Sequence, residues 1–409
     1  MPVFPRYYTS VAVFLFCALS LVIPGGTATG VTMLSLGSVV LIRTRQNLPL
    51  DNHERAIVAV LLLYFFVCAF TNWFHHDSLR EYDAPARFLL AIPALLLLRR
   101  WPPASAAFWG GVTAGASGAG LLALWEKLEL SAPRASGYTN PIQYGNISML
   151  LGILCLAGLG WAASRRRARW WIAMLLAGAC IGIFGSFLTG SRGSWIGLPV
   201  CLVILYRHYG RSVSRRYLLG GSLFAVAALG AVYAAPQAGI QGRMHEAVTE
   251  TDGYFETGNA NTSVGARLEM WRTGFMIFPE HPWLGWGKAG FMQRKKQLIS
   301  EGKVAAFTGD HTHSHNEYID ALVKRGVLGL LGLLAFYGVA LAVFVRRFRH
   351  VSAAQRPYAL AGVLVMVNYI GFGMTQAFLT HINGVMTLVF MLVILLTLSR
   401  TEVEHDPAR

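Results

Sequence analysis

The chain has 409 residues, 54% of them hydrophobic and 13% charged, with a formal net charge of +15. Soluble proteins carry about 25% charged residues, so this composition excludes a soluble globular protein and describes an integral membrane protein. The basic excess does not call for nucleic acid, because cytoplasmic loops of membrane proteins concentrate Lys and Arg.

A membrane-crossing helix needs about 20 mostly apolar residues. Such runs lie near 7–23, 28–43, 56–74, 85–99, 104–125, 143–163, 170–189, 193–209, 217–235, 324–345, 358–377 and 381–399. The run 28–43 is diluted by Gly, Ser and Thr. Tyr8 to Ile23 follows a single Arg and is followed at once by further spans, so it reads as a first transmembrane helix and not a cleaved signal peptide. The expected fold class is an all-α polytopic membrane protein of about twelve transmembrane helices, with one large, partly helical periplasmic loop between helices nine and ten. The expected organisation is helices one to nine over 1–235 and the loop, with part of the active site, over 236–323. Helices ten to twelve then fill 324–399, and 400–409 is a cytoplasmic tail. Cys17, Cys68, Cys155, Cys180 and Cys201 all fall in apolar runs, so neither disulfides nor a Cys-x-x-Cys metal site is expected.

Alternate loops differ sharply in charge. One set holds twenty Arg residues, from Arg6 through the cluster Arg165, Arg166, Arg167 and Arg169 to Arg400 and Arg409. The opposite short loops hold only Arg80, Arg87, Lys127, Arg134 and Arg192. The bias places both termini in the cytoplasm and the large loop outside, in the periplasm of a Gram-negative cell. No internal repeat is visible, and the large loop follows the ninth span, not the sixth. A transporter built from related halves therefore fits less well.

Chemistry concentrates at the outer side. Residues 235–325 are polar, with ten Lys/Arg and ten Asp/Glu. Arg192 sits in a tight Ser191-Arg-Gly-Ser194 turn; it can bind an anion beside a helix N-terminus or snorkel to headgroups. A helix is expected over about 264–278, with Leu268, Trp271, Phe275 and Phe278 on one apolar face. Arg267 borders that face and Arg272 follows. Either could fork onto a phosphate or simply pair with Glu269. His311, His313 and His315 alternate. They could form a zinc site if extended, supply a single general base, or be plain loop residues. Glu317 and Asp320 could orient an imidazole or bind substrate. Asn140 is placed to cap the next helix with Pro141 at its first position, leaving Gln143 and Tyr144 to meet a substrate. His75, His76 and His381 read as interfacial residues.

Together these residues resemble the O-antigen ligase/polymerase superfamily. His315-Asn316 is followed by nine residues and then Gly326-Val-Leu-Gly329, which is similar to that family's outer-loop His pattern. Ser191-Arg-Gly193 and Arg267-x3-Trp271 resemble its two arginine sites. Asn140-Pro-Ile-Gln-Tyr-Gly145 and Pro282-Trp-Leu-Gly-Trp-Gly287 also fit. The resemblance implies an O-antigen ligase-type glycosyltransferase in the bacterial inner membrane, without cofactor or metal. It would transfer O-antigen from undecaprenyl diphosphate to lipid A–core oligosaccharide with inversion. The implied catalytic residues are His315 as base and Arg192 and Arg267 on the diphosphate. Implied substrate contacts are Asn140, Gln143, Tyr144, Trp271, Arg272, His313, Asn316, Glu317 and Tyr318. The implied partners are the lipid-linked donor, the lipid A–core acceptor and membrane lipids, with no nucleic acid. An O-antigen polymerase and a protein O-oligosaccharyltransferase share this logic; a lipid-glycan transporter is the contrasting class.

Overall fold

The computed structural model describes residues 3–42, 49–210, 230 and 240–400. The expected span 217–235 lies outside them but for Gly230, as do Arg43, Arg45, Arg211, Arg215, Arg216 and Arg409. Among the described residues all regular structure is helical. Five helices are long and apolar enough to cross a membrane: Asn52–Phe74, Ser105–Leu128, Pro141–Ala163, Ala168–Leu188 and Glu317–His350. Gly26–Ile42 and Ile382–Leu398 are apolar but shorter. Val3–Ala18, Asp83–Arg100, Leu198–Tyr209 and Arg356–Gly373 are helices at four more of the expected runs. Ser105–Leu128 packs between Val3–Ala18 and Ala168–Leu188, and Glu317–His350 packs on Asn52–Phe74 and Arg356–Gly373.

One end of the bundle is closed by ion pairs, one of them fully buried. Asp51 caps Asn52–Phe74 in a capping box with Glu54. Glu54, fully buried, pairs with Arg99 at 2.9 Å. Asp51 pairs with the buried Arg347 at 2.8 Å. Arg347 also donates to the Leu396 carbonyl and to Ser399 Oγ, so four helix ends are tied together.

The opposite end carries the polar segment. Its helices Ile240–Thr257, Ser263–Ile277 and Gly287–Ser300 lead to Glu317–His350. A small core of Ile277, Phe291, Leu298, Val304, Ile319 and Val323 seats Ser263–Ile277 and Gly287–Ser300 on the start of that long helix, and Ile240–Thr257 packs on Ser263–Ile277. The face expected on Ser263–Ile277 is only partly correct. Trp271 and Phe278 pack on this core, but Phe275 is exposed, and Met270, Thr273, Gly274 and Ile277 are the buried residues. Gly274 decides this, because Ile319 and Val323 approach it too closely to admit a side chain in comfort.

The tenth expected span starts seven residues early, at Glu317, because Asn316 caps it by accepting from the Tyr318 and Ile319 N–H groups. It is broken at Gly326, whose φ of 65° and ψ of −164° are not helical. A break frees backbone groups that must find partners. Residues 282–286 supply them: Trp286 N–H donates to Val323 O, Val327 N–H to Pro282 O and Leu328 N–H to Trp283 O. Gly285, also at positive φ, and Gly326 let the two backbones meet, since a Cβ on either would lie 2.3–2.4 Å from the other strand's main chain. His75 adds a contact to Leu284 O at 2.9 Å. The Pro282–Gly287 motif is thus a plug in a helix kink.

Candidate active site

Three arginines converge at the polar end. Arg192 begins a four-residue 3-10 turn, Arg192–Trp195, and the next α-helix starts only at Leu198. The helix N-terminus expected directly beside Arg192 is therefore not there. The turn is held by Ser194 Oγ, which meets Ser186 Oγ and donates to Ser191 O. A Cβ on Gly193 would lie 2.0 Å from Thr375 Oγ1, so this turn sits directly on the loop after Arg356–Gly373. Arg192 Nη2 lies 3.9 Å from Glu250 Oε2. That carboxylate also accepts from the Val264 N–H, at the start of the helix that carries Arg267. Arg134 donates from Nε to Thr189 O. Burial holds the Arg267 guanidinium below its ordinary pKa, as do the charges of Arg192 and Arg134, with Glu250 opposing. Arg134, Arg192 and Arg267 thus form a cationic cluster with Glu250 beside it.

His315 lies close enough to this cluster to feel the charge of Arg267. Its φ is 48°, a left-handed conformation that few non-Gly residues adopt, His among the more tolerant. Its neighbours impose it. Ser314 N–H donates to Asp320 Oδ1, which is paired with Lys324 at 2.8 Å. Asn316 caps the helix and donates to Met374 O at 3.2 Å. Upstream, the buried Lys295 ammonium donates to His311 O. Burial pushes Lys295 down to about 8, reinforced by Lys324 and opposed by Asp320 and Asp310. The His313 ring centroid lies 4.4 Å from that of His315 and 5.4 Å from that of His381; His311 is 5.7 Å from His315. Burial pushes His315 down to about 3, with repulsion from His313, Arg267 and His311 and with Gln376 opposing. Burial likewise pushes His313 down to about 4. Both imidazoles are therefore neutral at physiological pH, and His315 Nδ1 has no hydrogen-bond partner. A neutral ring nitrogen beside clustered guanidiniums can accept a proton while the cations hold an anion.

Several expected substrate contacts have structural jobs instead. Tyr144 is fully buried and donates to Ala119 O at 2.6 Å, so it does not face a substrate. Tyr318 donates to Ile370 O and Glu317 accepts from the Leu379 N–H. With Asn316 they fasten the histidine segment to the 370–379 region. Asn140 accepts from the Ile142 and Gln143 N–H groups as the helix cap, and Gln143 is buried. Arg272 is taken up by Glu269, which also accepts from Tyr254. His381 is not interfacial; its Nε2 lies 2.9 Å from Gln376 Nε2, beside His313. Among the described residues no three His, Cys, Asp or Glu side chains are placed to hold a metal ion.

Sequence reasoning missed Arg134, Glu250, Lys295, Gln376 and His381. Arg134 carried a signal, as a cation on the Arg-poor side of the chain. The others are ordinary polar residues until folding brings them together.

A second polar space lies next to this one. A cavity of about 430 Å³ opens beyond His313, between the outer ends of Asn52–Phe74 and Asp83–Arg100 and the kinked helix.

Residues 177–334 match the family model described as O-Antigen ligase. That stretch holds Arg192, Arg267, His315 and Gly326. An uncharacterized protein of Haemophilus influenzae (strain ATCC 51907 / DSM 11121 / KW20 / Rd) is 28% identical over 379 residues, 91% of this chain and 93% of the relative. An O-antigen ligase of Escherichia coli (strain K12) is 23% identical over 229 residues, 55% of this chain and 52% of the relative. With the apolar helices, the family match indicates a multi-pass membrane glycosyltransferase of lipopolysaccharide assembly that works with a lipid-linked glycan donor and a lipid acceptor.

Proposed function

We propose that the protein is an O-antigen ligase of the inner membrane, with its polar end in the periplasm. It transfers glycan from an undecaprenyl-diphosphate carrier to lipid A–core. The observation that carries this reading is the convergence of Arg134, Arg192 and Arg267 beside a neutral His315, inside the family-matched stretch. The acceptor hydroxyl gives its proton to His315 as its oxygen attacks the anomeric carbon. The bond from that carbon to the diphosphate breaks, and the electron pair leaves on the diphosphate, which the guanidiniums hold. Attack opposite the leaving group inverts the anomeric centre. Fixed cations aimed at developing charge stabilise the transition state without reorganising. They also supply the positive charge that a divalent metal would otherwise bring, so transfer in the presence of a chelator is expected to be unchanged.

The test is reconstituted transfer with purified protein, lipid-linked donor and three acceptors: lipid A–core, a second donor molecule and a pilin-like peptide. Product on lipid A–core alone supports the ligase; product only on the second donor or only on the peptide reassigns it to a polymerase or a protein glycosyltransferase. His315→Asn is the informative variant, because Asn tolerates the left-handed backbone and cannot serve as the base. Donor binding should persist and transfer should fall by about 10²–10⁴-fold, the usual range for a lost general base. Near-normal transfer would remove His315 from the mechanism. A single cysteine replacing the exposed Lys303 in a chain without its native cysteines should react with an impermeant thiol reagent added to the periplasmic side. Labelling only after the cells are broken would reverse the orientation.

A further inference from the structure

We propose that the cavity beyond His313 is the acceptor site, and that it takes the terminal sugar of the acceptor oligosaccharide, a polyhydroxylated ring. This inference rests on the transferase reading above and adds where the second substrate lies. Position is the first argument. None of Arg134, Arg192, Arg267 or His315 lines the cavity, whereas His313 does, with its ring 4.4 Å from that of His315. The cavity therefore meets the histidine segment at His313, next to His315 and apart from the arginines. An inverting transfer needs the acceptor oxygen and the leaving diphosphate on opposite faces of the anomeric carbon, with the proton acceptor beside the acceptor oxygen.

Charge is the second argument. Two of the cavity's cations are answered by carboxylates, Lys288 by Glu81 at 2.6 Å and Lys324 by Asp320 at 2.8 Å, and Asp77, Asp83 and Glu317 add further carboxyl groups to the lining. Such a lining repels a second diphosphate and offers hydrogen-bond donors and acceptors in alternation, which matches hydroxyl groups that both give and take a proton. The third argument is unmet demand. Among the described residues His313 Nε2 and Arg325 Nε are buried without a hydrogen-bond partner, and both residues line the cavity. Buried polar atoms of this kind ordinarily have partners, and sugar hydroxyls supply them. A volume of about 430 Å³ falls within the range of small-ligand pockets, about 300–1,000 Å³.

The experiment uses the full chain in detergent with lipid-linked donor and purified lipid A–core. Two variants are compared. Arg80→Ala removes an exposed cation from the lining, with little to disturb in folding. Ala84→Phe puts a ring into the space from the start of Asp83–Arg100. Both are expected to raise the KM for lipid A–core by about tenfold or more, the equivalent of about 1.4 kcal/mol, and to leave donor affinity unchanged. Unchanged acceptor KM in both variants overturns the assignment. Loss of donor affinity in both also overturns it, because the cavity would then belong to the donor. The outcome is separable from the underlying reading: His315→Asn and Arg267→Ala test the transferase itself, and their loss of transfer would stand even if the cavity variants behaved like the parent.

Discussion

His313 and His315 make the polar end sensitive to acid. Both have folded-state pKa values pushed below the ordinary 6.5, to about 4 and about 3. Below about 6.5 the unfolded chain takes up protons that the folded chain does not, so stability falls as pH drops from about 6.5 towards 3 and is insensitive to these groups above that window. Thermal unfolding in detergent should show a lower Tm at about pH 5 than at pH 7.5, and His313→Gln should shrink the difference; an unchanged difference would mean His313 is not held neutral. The same charges link the base to the donor. Arg267 is one cause of the low His315 value, and a bound diphosphate would offset that cation. The acid limb of kcat, which reports the bound enzyme, is therefore expected at higher pH than the acid limb of kcat/KM. Coincident limbs would separate His315 from the diphosphate. Arg267→Lys keeps the charge but loses the planar fork and should weaken donor binding more than it alters this ordering.

At the scale of elements, the kink in Glu317–His350 seats the outer helices. Gly326→Ala places a side chain at a positive φ, which costs about 1–3 kcal/mol, and its Cβ would lie 2.3 Å from the Trp283 carbonyl group. The 282–286 segment must then leave, taking its contact with His75 with it. Protease cutting between 278 and 304 should become faster and transfer should be lost. Gly338→Ala, in the same helix with nothing near its Cβ, is the control and should be neutral or slightly stabilising. Equal behaviour of the two variants would show that the plug does not hold the loop. The sequence displayed both partners of this device, Pro282–Gly287 and Gly326, but not their union, which depends on backbone groups some forty residues apart. The same limit explains the site. Arg192, Arg267 and His315 stood out by local pattern. Tyr144 was misread because nothing local reveals that Ala119 O is within reach of its hydroxyl. Gln376 was passed over and His381 was read as interfacial because only folding carries that loop to the histidines.

Across the whole molecule the two ends contrast in how charge is treated. At one end Glu54, Arg99 and Arg347 are buried and paired, Arg347 with the half-exposed Asp51. At the other, three guanidiniums cluster with Glu250 and a neutral histidine stands beside them. The first pattern locks helices and the second binds and reacts, so the two are expected to fail separately. Asn52–Phe74 has 23 residues, and at 1.5 Å per residue it holds the ends about 35 Å apart. Arg99→Met removes the nearer partner of the buried Glu54 and leaves the longer contact from Arg400 at 3.6 Å. Breaking a buried pair typically costs about 3–5 kcal/mol, and Arg400 offsets part of that. Tm in detergent should fall clearly, and adding Glu54→Leu to Arg99→Met should recover part of the loss, since an apolar pair of similar volume removes the buried charge. The protein that remains folded should retain the parent's kcat and its KM for donor and for acceptor. A drop in kcat per folded molecule would instead mean that the ion-paired end sets the geometry of the histidine end through the helices that join them, and the division of the bundle into a lock and a reaction chamber would be wrong.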